Sequence, residues 1–319
     1  MKIGLLSIAL FGAVCSFGQE AEADTLPPDP NWKLKVTYGI NGTQSSFVNW
    51  NAGGRNNISF LGYIEGSANY LKDNVKWDND LGVALGGLLY VGVGSSSAGG
   101  VQKTDDRLDL SSNFGYRMKE HWYASIIAGF KTQFMDGFNY PNDSVRVSKW
   151  MAPGYLNLAL GIDYSPNENL SIFLSPAASK MTFVQDQTLA NAGAFGVDAA
   201  EYDDLGVLIK KGSQFRAEVG AYFKLKYNQT LAKNIELKSK LELFSNYVKN
   251  PENIDVNAEV IFNFKINNWL NASVNMNLIY DHDIDIRDAQ GNVGPRTQFK
   301  SVIGIGIAYT MRNYIEKEK

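Results

Sequence analysis

From Trp32 onward the chain alternates apolar and polar residues in twelve segments of about ten residues each, and few folds accept such a pattern. In the third segment Val75, Trp77, Leu81, Val83 and Leu85 share one parity, while Lys76, Asp78 and Asp80 share the other. In the ninth, Ile235, Leu237, Leu241 and Leu243 oppose Glu236, Lys238, Lys240 and Glu242. The segments begin near residues 32, 57, 75, 106, 122, 154, 168, 213, 234, 254, 269 and 297. Their links alternate in length. Residues 71–74, 119–121, 165–169, 228–233 and 267–268 read as tight turns, and 90–105, 136–153, 176–212, 246–253 and 282–296 as long loops. With both chain ends on the tight-turn side, this rhythm predicts an all-β fold, a single antiparallel up-and-down transmembrane barrel of about 12 strands. A soluble sandwich has no reason to keep it.

Aromatic residues mark two levels. Tyr70, Trp77, Tyr116, Trp122, Tyr164 and Tyr227 fall at tight-turn ends on the apolar parity, and Phe134, Phe215, Tyr280 and Phe299 do so at long-loop ends. Amphipathic rings placed this way suit two lipid–water interfaces. Hydrocarbon offers no water to an open sheet edge, so a spanning sheet must join its first strand to its last. The final segment ends Gly306-x-x-Tyr309-x-Met311, similar to the terminal signal that barrels present to the insertion machinery, although Arg312–Lys319 follow it and no closing position is Phe.

The first residues read as a secretory signal peptide: Lys2 is the positive end, Leu5 to Val14 the apolar core, and Ser16-Phe17-Gly18 the cleavage site. The expected organisation is a signal peptide at 1–18, an unstructured lead-in at 19–31, a barrel at 32–311 and a tail at 312–319. Cleavage removes Cys15, the single cysteine, so no disulfide staples the exported chain. A mildly acidic balance, 30 basic against 33 acidic residues without a basic tract, excludes nucleic acid as a partner. The expected location is the cell outer membrane. Expected partners are the lipid bilayer, the insertion machinery and an envelope protein; no motif calls for a cofactor.

The stretch FVNWNAGGRNNIS, from Phe47, reads as the tip of the first hairpin, with Gly53-Gly54 at the reversal. Trp50 and Arg55 are its partner-docking candidates, against the plainer reading of an interface tryptophan in a hairpin. This stretch, KTDDRLDLSSNFGYR (103–117), WYASIIAGFKTQFMDGFNY (122–140) and the run from Pro153 to Val197 resemble the Bacteroidetes outer-membrane family described as a domain of unknown function, number 3078. The resemblance spans most of the mature chain. It implies an outer-membrane barrel of a Gram-negative envelope and transfers no activity.

The inward parity carries charge of both signs. Lumen or selectivity candidates are Arg107, Asp109, Arg117, Lys131, Arg216, Glu218, Glu236, Lys238, Lys240, Glu242, Asp255 and Glu259. Twelve strands enclose a narrow interior, between filled eight-stranded barrels and open porins. These residues therefore read either as a solvated pore or as a network of ion pairs. The 176–212 loop, with Phe195 and Asp203-Asp204, either constricts the mouth or lies outside it.

Asp281, Asp283 and Asp285, with Asp288 and Asn292, resemble an acidic calcium loop, yet Ile286 stands where the calcium hand requires glycine. A surface cation and a solvated acidic loop both remain open. His121 lies in a turn, and His282 sits between two aspartates at the rim. A hydrolase would need a second carboxylate pair across the mouth, with Asp203-Asp204 or Asp105-Asp106 as candidates. The primary expectation is thus a non-enzymatic, porin-like barrel, a narrow channel for small solutes with a mixed-charge lumen. The alternative is a non-conducting accessory barrel docked into a larger outer-membrane assembly, and a rim-located hydrolase is the remote one.

Overall fold

The alternation folds into twelve long antiparallel strands because each carries an apolar face that must leave water and a backbone that must be fully paired once it does. The computed structural model describes residues 31–46, 56–90, 100–140, 142–267, 269–287 and 292–314. The strands are β1 (Trp32–Ser45), β2 (Asn57–Lys72), β3 (Val75–Tyr90), β4 (Gln102–Lys119), β5 (Trp122–Thr132) and β6 (Gly154–Asn167), followed by β7 (Leu170–Phe183), β8 (Phe215–Ala232), β9 (Ile235–Asn246), β10 (Ile254–Lys265), β11 (Leu270–Tyr280) and β12 (Gln298–Arg312). Each pairs with its neighbour in sequence, and β12 returns to β1 through Val36↔Met311 and Ile40↔Ile307, closing the barrel.

The apolar parity points outward along every wall. Leu160, Leu174, Ile303, Ile305 and Tyr309 are among its exposed side chains. Such a surface is stable against lipid and costly against water. Aromatic contacts ring the tight-turn end, where Trp32 lies 5.1 Å from Tyr70 and 5.8 Å from Trp77, and Trp122 lies 4.7 Å from Tyr164. At the opposite end Phe183 meets Phe215 at 5.2 Å. The tight and long links alternate as the sequence predicts; the Asp73-Asn74 reversal, for instance, places Asp73 at φ 50°.

Strand limits differ at several places: β8, for one, runs to Ala232 through most of the stretch read as the turn 228–233. β4 starts at Gln102 rather than near 106, and β7 runs to Phe183, so the loop expected at 176–212 occupies 184–214. The reason lies within β7. Pro176 has no N–H for the ladder and sits where the register shifts against both neighbours, after which Lys180 and Thr182 resume the inward parity. Backbones crowd beside this irregularity: a Cβ at Gly161 would lie 2.2 Å from the Leu174 carbonyl oxygen, and one at Gly220 would lie 1.9 Å from that of Ser245. Only glycine fits there.

Of the leader and lead-in expected at 1–31, residues 1–30 lie outside the described residues, as do the hairpin tip with Trp50 and Arg55, Asp288 and tail residues 315–319.

Candidate functional site

The inward parity builds the candidate site, a lumen crossed by side chains. β4 and β10 stand opposite each other in the ring of twelve, yet Arg107 Nη1 reaches Glu259 Oε1 at 2.7 Å. Lys240 on β9 reaches Asp109 on β4 at 3.1 Å and Glu259 at 3.6 Å. Around this centre Lys226 joins Asp80 at 2.6 Å, Lys238 joins Glu65 at 2.8 Å, and Lys224 donates to Ser111 at 2.9 Å, each spanning the lumen. Lys131 pairs with Glu242, which also accepts from the Tyr222 hydroxyl at 2.9 Å and from Asn257 at 2.9 Å. Below them, Lys35 approaches Glu236 at 3.5 Å, and Lys76 joins Asp163 at 3.2 Å. Opposite charges from facing walls thus meet directly across the axis.

Part of the interior is apolar. Ile127, Ala159, Phe173, Ala178, Tyr222 and Phe244 form a buried cluster on the β5–β9 side, beside the expected charges of both signs. Phe173 shares its parity with Ser171 and Ser175, but its outward neighbours Ile172 and Leu174 are apolar too. Period two cannot say which of two oily faces turns inward there.

Each lumen candidate takes a definite partner, though not always the expected one. Arg107, Asp109, Lys131, Lys240, Glu242 and Glu259 form the mid-barrel network, and Lys238 and Glu236 extend it downward. Arg117 does not join it. Ten residues along the same strand from Arg107, it lies against Tyr123, 5.6 Å from the ring and 3.3 Å from the hydroxyl. Arg216, Glu218 and Asp255 belong to the long-loop end: Arg216 holds Glu218 at 2.7 Å and pairs with Asp283, while Lys180 holds Asp255 at 2.6 Å. Glu65, Asp80, Lys180 and Lys226 are participants that sequence reasoning left out, although each lies on the inward parity of its strand.

Of the calcium-loop candidates, Asp281 accepts from Lys180 at 2.6 Å, and Asp283 is held by Arg216 and Lys249. Asp285 stands exposed in the short strand Asp285–Arg287. Among the described residues no group of three or more His, Cys, Asp or Glu side chains is placed to hold a metal ion. For Asp283, burial raises the pKa, but its bonds to Arg216 and Lys249 outweigh burial and hold it below the ordinary carboxylate value. Three of the four rim aspartates considered for a hydrolase, all but the exposed Asp204, are likewise engaged. Asp105 binds Lys300 at 3.0 Å, Asp106 binds Lys103 and the Phe134 and Met135 N–H groups, and Asp203 caps its own turn at Leu205 and Val207. His282 Nδ1 lies 3.1 Å from the Tyr280 hydroxyl.

The 184–214 loop folds back over the mouth. A short helix, Gln187–Asn191, is capped by Asp186, whose carboxylate accepts from the Thr188 and Leu189 N–H groups. Leu189, Ala190 and Val197 pack with Ala152 and Val184, and Arg216 donates to the Gly196 carbonyl at 2.8 Å. Asp186 also binds Arg146 at 3.0 Å and Lys149 at 3.2 Å, pinning this loop to the 133–153 loop. Beneath Phe195 and above the Lys131–Glu242 pair lies a cavity of about 430 Å³.

Two family models match. One, described as "Protein of unknown function (DUF3078)", covers residues 43–138, and the other, "Protein of unknown function, DUF481", covers residues 165–290. The sequence resemblance to the first family therefore ends earlier than its quoted phrases suggest: the run from Pro153 falls outside that match, and from residue 165 it enters the second. No curated protein matches the chain. Among solved structures the chain is similar to an outer membrane channel from Pseudomonas putida F1, with 13% identity, 92% of this chain and 100% of that one covered, and a TM-score of 0.37. It is also similar to the translocator domain of autotransporter NalP from Neisseria meningitidis, at 12%, 88%, 88% and 0.35 in the same order. For outer membrane phospholipase A from Escherichia coli the values are 11%, 91%, 93% and 0.32. Likeness this slight carries no argument about function.

Proposed function

We propose that this protein is an outer-membrane barrel whose lumen is sealed in its resting state, a non-catalytic accessory barrel that acts through its long-loop face. One observation carries the reading: Arg107–Glu259 at 2.7 Å, flanked by Lys240–Asp109 at 3.1 Å, joins opposite walls at mid-height. A pore needs a continuous file of water, and pairs of this length leave none between the partners. The apolar cluster of Phe173, Tyr222 and Phe244 thickens the obstruction. The engagement of Asp105, Asp106 and Asp203 favours a non-catalytic role over hydrolysis. Outer-membrane residence rests on the closed sheet with its exposed apolar wall.

The second reading, a narrow channel, draws support from the same charges, because ion pairs part more readily than a packed apolar plug. Planar-bilayer recording separates the two. The sealed barrel gives no steady current at neutral pH, and Glu259→Ala with Asp109→Ala creates one. A steady wild-type conductance overturns the sealed reading and leaves the channel.

A further inference from the structure

We infer that the cavity under the 184–214 loop is a binding site for a small organic cation, an amine carried on an apolar body. The cavity, about 430 Å³, has the size of drug-sized ligand sites. Tyr155, Tyr222 and Phe244 line it from the barrel wall, and Phe195 lines it from the loop. These rings supply an apolar bed and quadrupoles that favour positive charge. Lys180 already demonstrates the preference, with its ammonium 5.8 Å from the centre of the Phe244 ring.

Charge at this end decides the sign of the ligand. Glu218, Asp255, Asp281 and Asp283 form one cluster whose cations are Lys180, Arg216 and Lys249. Four carboxylates thus share three positive groups. Lys180 alone serves Asp255 and Asp281, each at 2.6 Å, and stands 4.0 Å from Glu218. The other ionised groups in the lining are balanced, Lys131 with Glu242 and Asp106 with Lys103. An added ammonium restores neutrality beside Asp255 and Asp281, whereas an added carboxylate deepens the excess in a partly desolvated site. The inference does not depend on the sealed lumen, since an occupied cavity is compatible with a conducting or a closed barrel.

Calorimetric titration of the purified full-length barrel in detergent tests it with three probes of one shape: tryptamine, tryptophol and indole-3-acetate. Tryptamine is expected to bind at least ten-fold tighter than tryptophol, with indole-3-acetate weakest. Asp281→Asn is expected to cut the tryptamine advantage below three-fold while leaving tryptophol affinity unchanged. Phe195→Ala, on the loop and outside the ion-pair cluster, weakens all three probes together and guards against a folding defect in the aspartate variant. Equal affinities, a preference for indole-3-acetate, or no saturable binding by the wild-type protein each overturns the inference. Conductance recorded on the same preparation reports separately on the sealed lumen.

Discussion

Replacing Glu259 with Gln tests whether the mid-barrel pairs stand in water or outside it. The carboxylate receives Arg107 at 2.7 Å, Lys240 at 3.6 Å and Asn277 at 3.4 Å, and its side chain retains only 13% of its exposure. Two unit charges at about 4 Å interact by roughly 4 kcal/mol at an effective dielectric of 20, and by roughly 1 kcal/mol in bulk water. Removing one partner of a buried pair costs about 3–5 kcal/mol, because the other charge is left buried. Arg107 keeps 25% of its exposure and Lys240 keeps Asp109, so the expected loss lies near the lower end, about 3 kcal/mol. Arg107→Met with Glu259→Leu removes both charges and fills their volume, and should recover most of that loss. Denaturant unfolding of the detergent-solubilised barrel, followed by tryptophan fluorescence, measures all three proteins. A Glu259→Gln cost below about 1 kcal/mol, the range of solvated pairs, would place water between the walls and refute the seal.

The other expectations are local. Gly220→Val puts a Cβ 1.9 Å from the Ser245 carbonyl oxygen, so the variant should fail to reach the folded, heat-resistant form on gel electrophoresis; normal folding would show that β8 and β9 separate freely. Leu160→Arg sets a charge on the outer wall midway along β6 and should cost about 2–4 kcal/mol in lipid-refolding titrations, whereas a neutral effect would mean that no hydrocarbon touches Leu160. Burial raises the Asp186 pKa, but the Leu189 N–H, Lys149 and Arg146 outweigh it and hold it below the ordinary aspartate value. Its stabilisation of the loop is therefore present above the ordinary aspartate range and lost as pH falls through the lowered value. Limited proteolysis of 184–214 should accelerate in acid, and Asp186→Ala, costing about 1 kcal/mol for the lost cap, should abolish that pH dependence. If wild-type conductance is found, neutralising Arg107 should shift the reversal potential far more than neutralising Arg117, which is held at Tyr123; equal shifts would put both in one filter.

Barrel class, strand count, the face that meets lipid and the tight-long rhythm of the links were legible in the chain, because each follows from local chemistry. Alternation fixes parity, Asp73-Asn74 and its counterparts fix the reversals, and unpaired edges forbid an open sheet. The inward position of Arg107, Lys240 and Glu259 followed from the same count. Their partners did not. Which charges meet across the axis depends on strand stagger and barrel width, so Arg107 finds Glu259 across the full diameter, while Arg117, identical in parity, finds Tyr123. Phe173 turns inward where Ile172 and Leu174 on the other face are oily too, whereas Phe244 keeps the inward parity of Glu242; their meeting in one buried cluster is set by the fold. The 184–214 loop lacks a period altogether, and it is placed by Asp186, Arg146 and Arg216 acting between segments far apart in sequence. Parity is a property of consecutive residues, whereas closure of the lumen is a property of distances between walls, and only the folded barrel sets those.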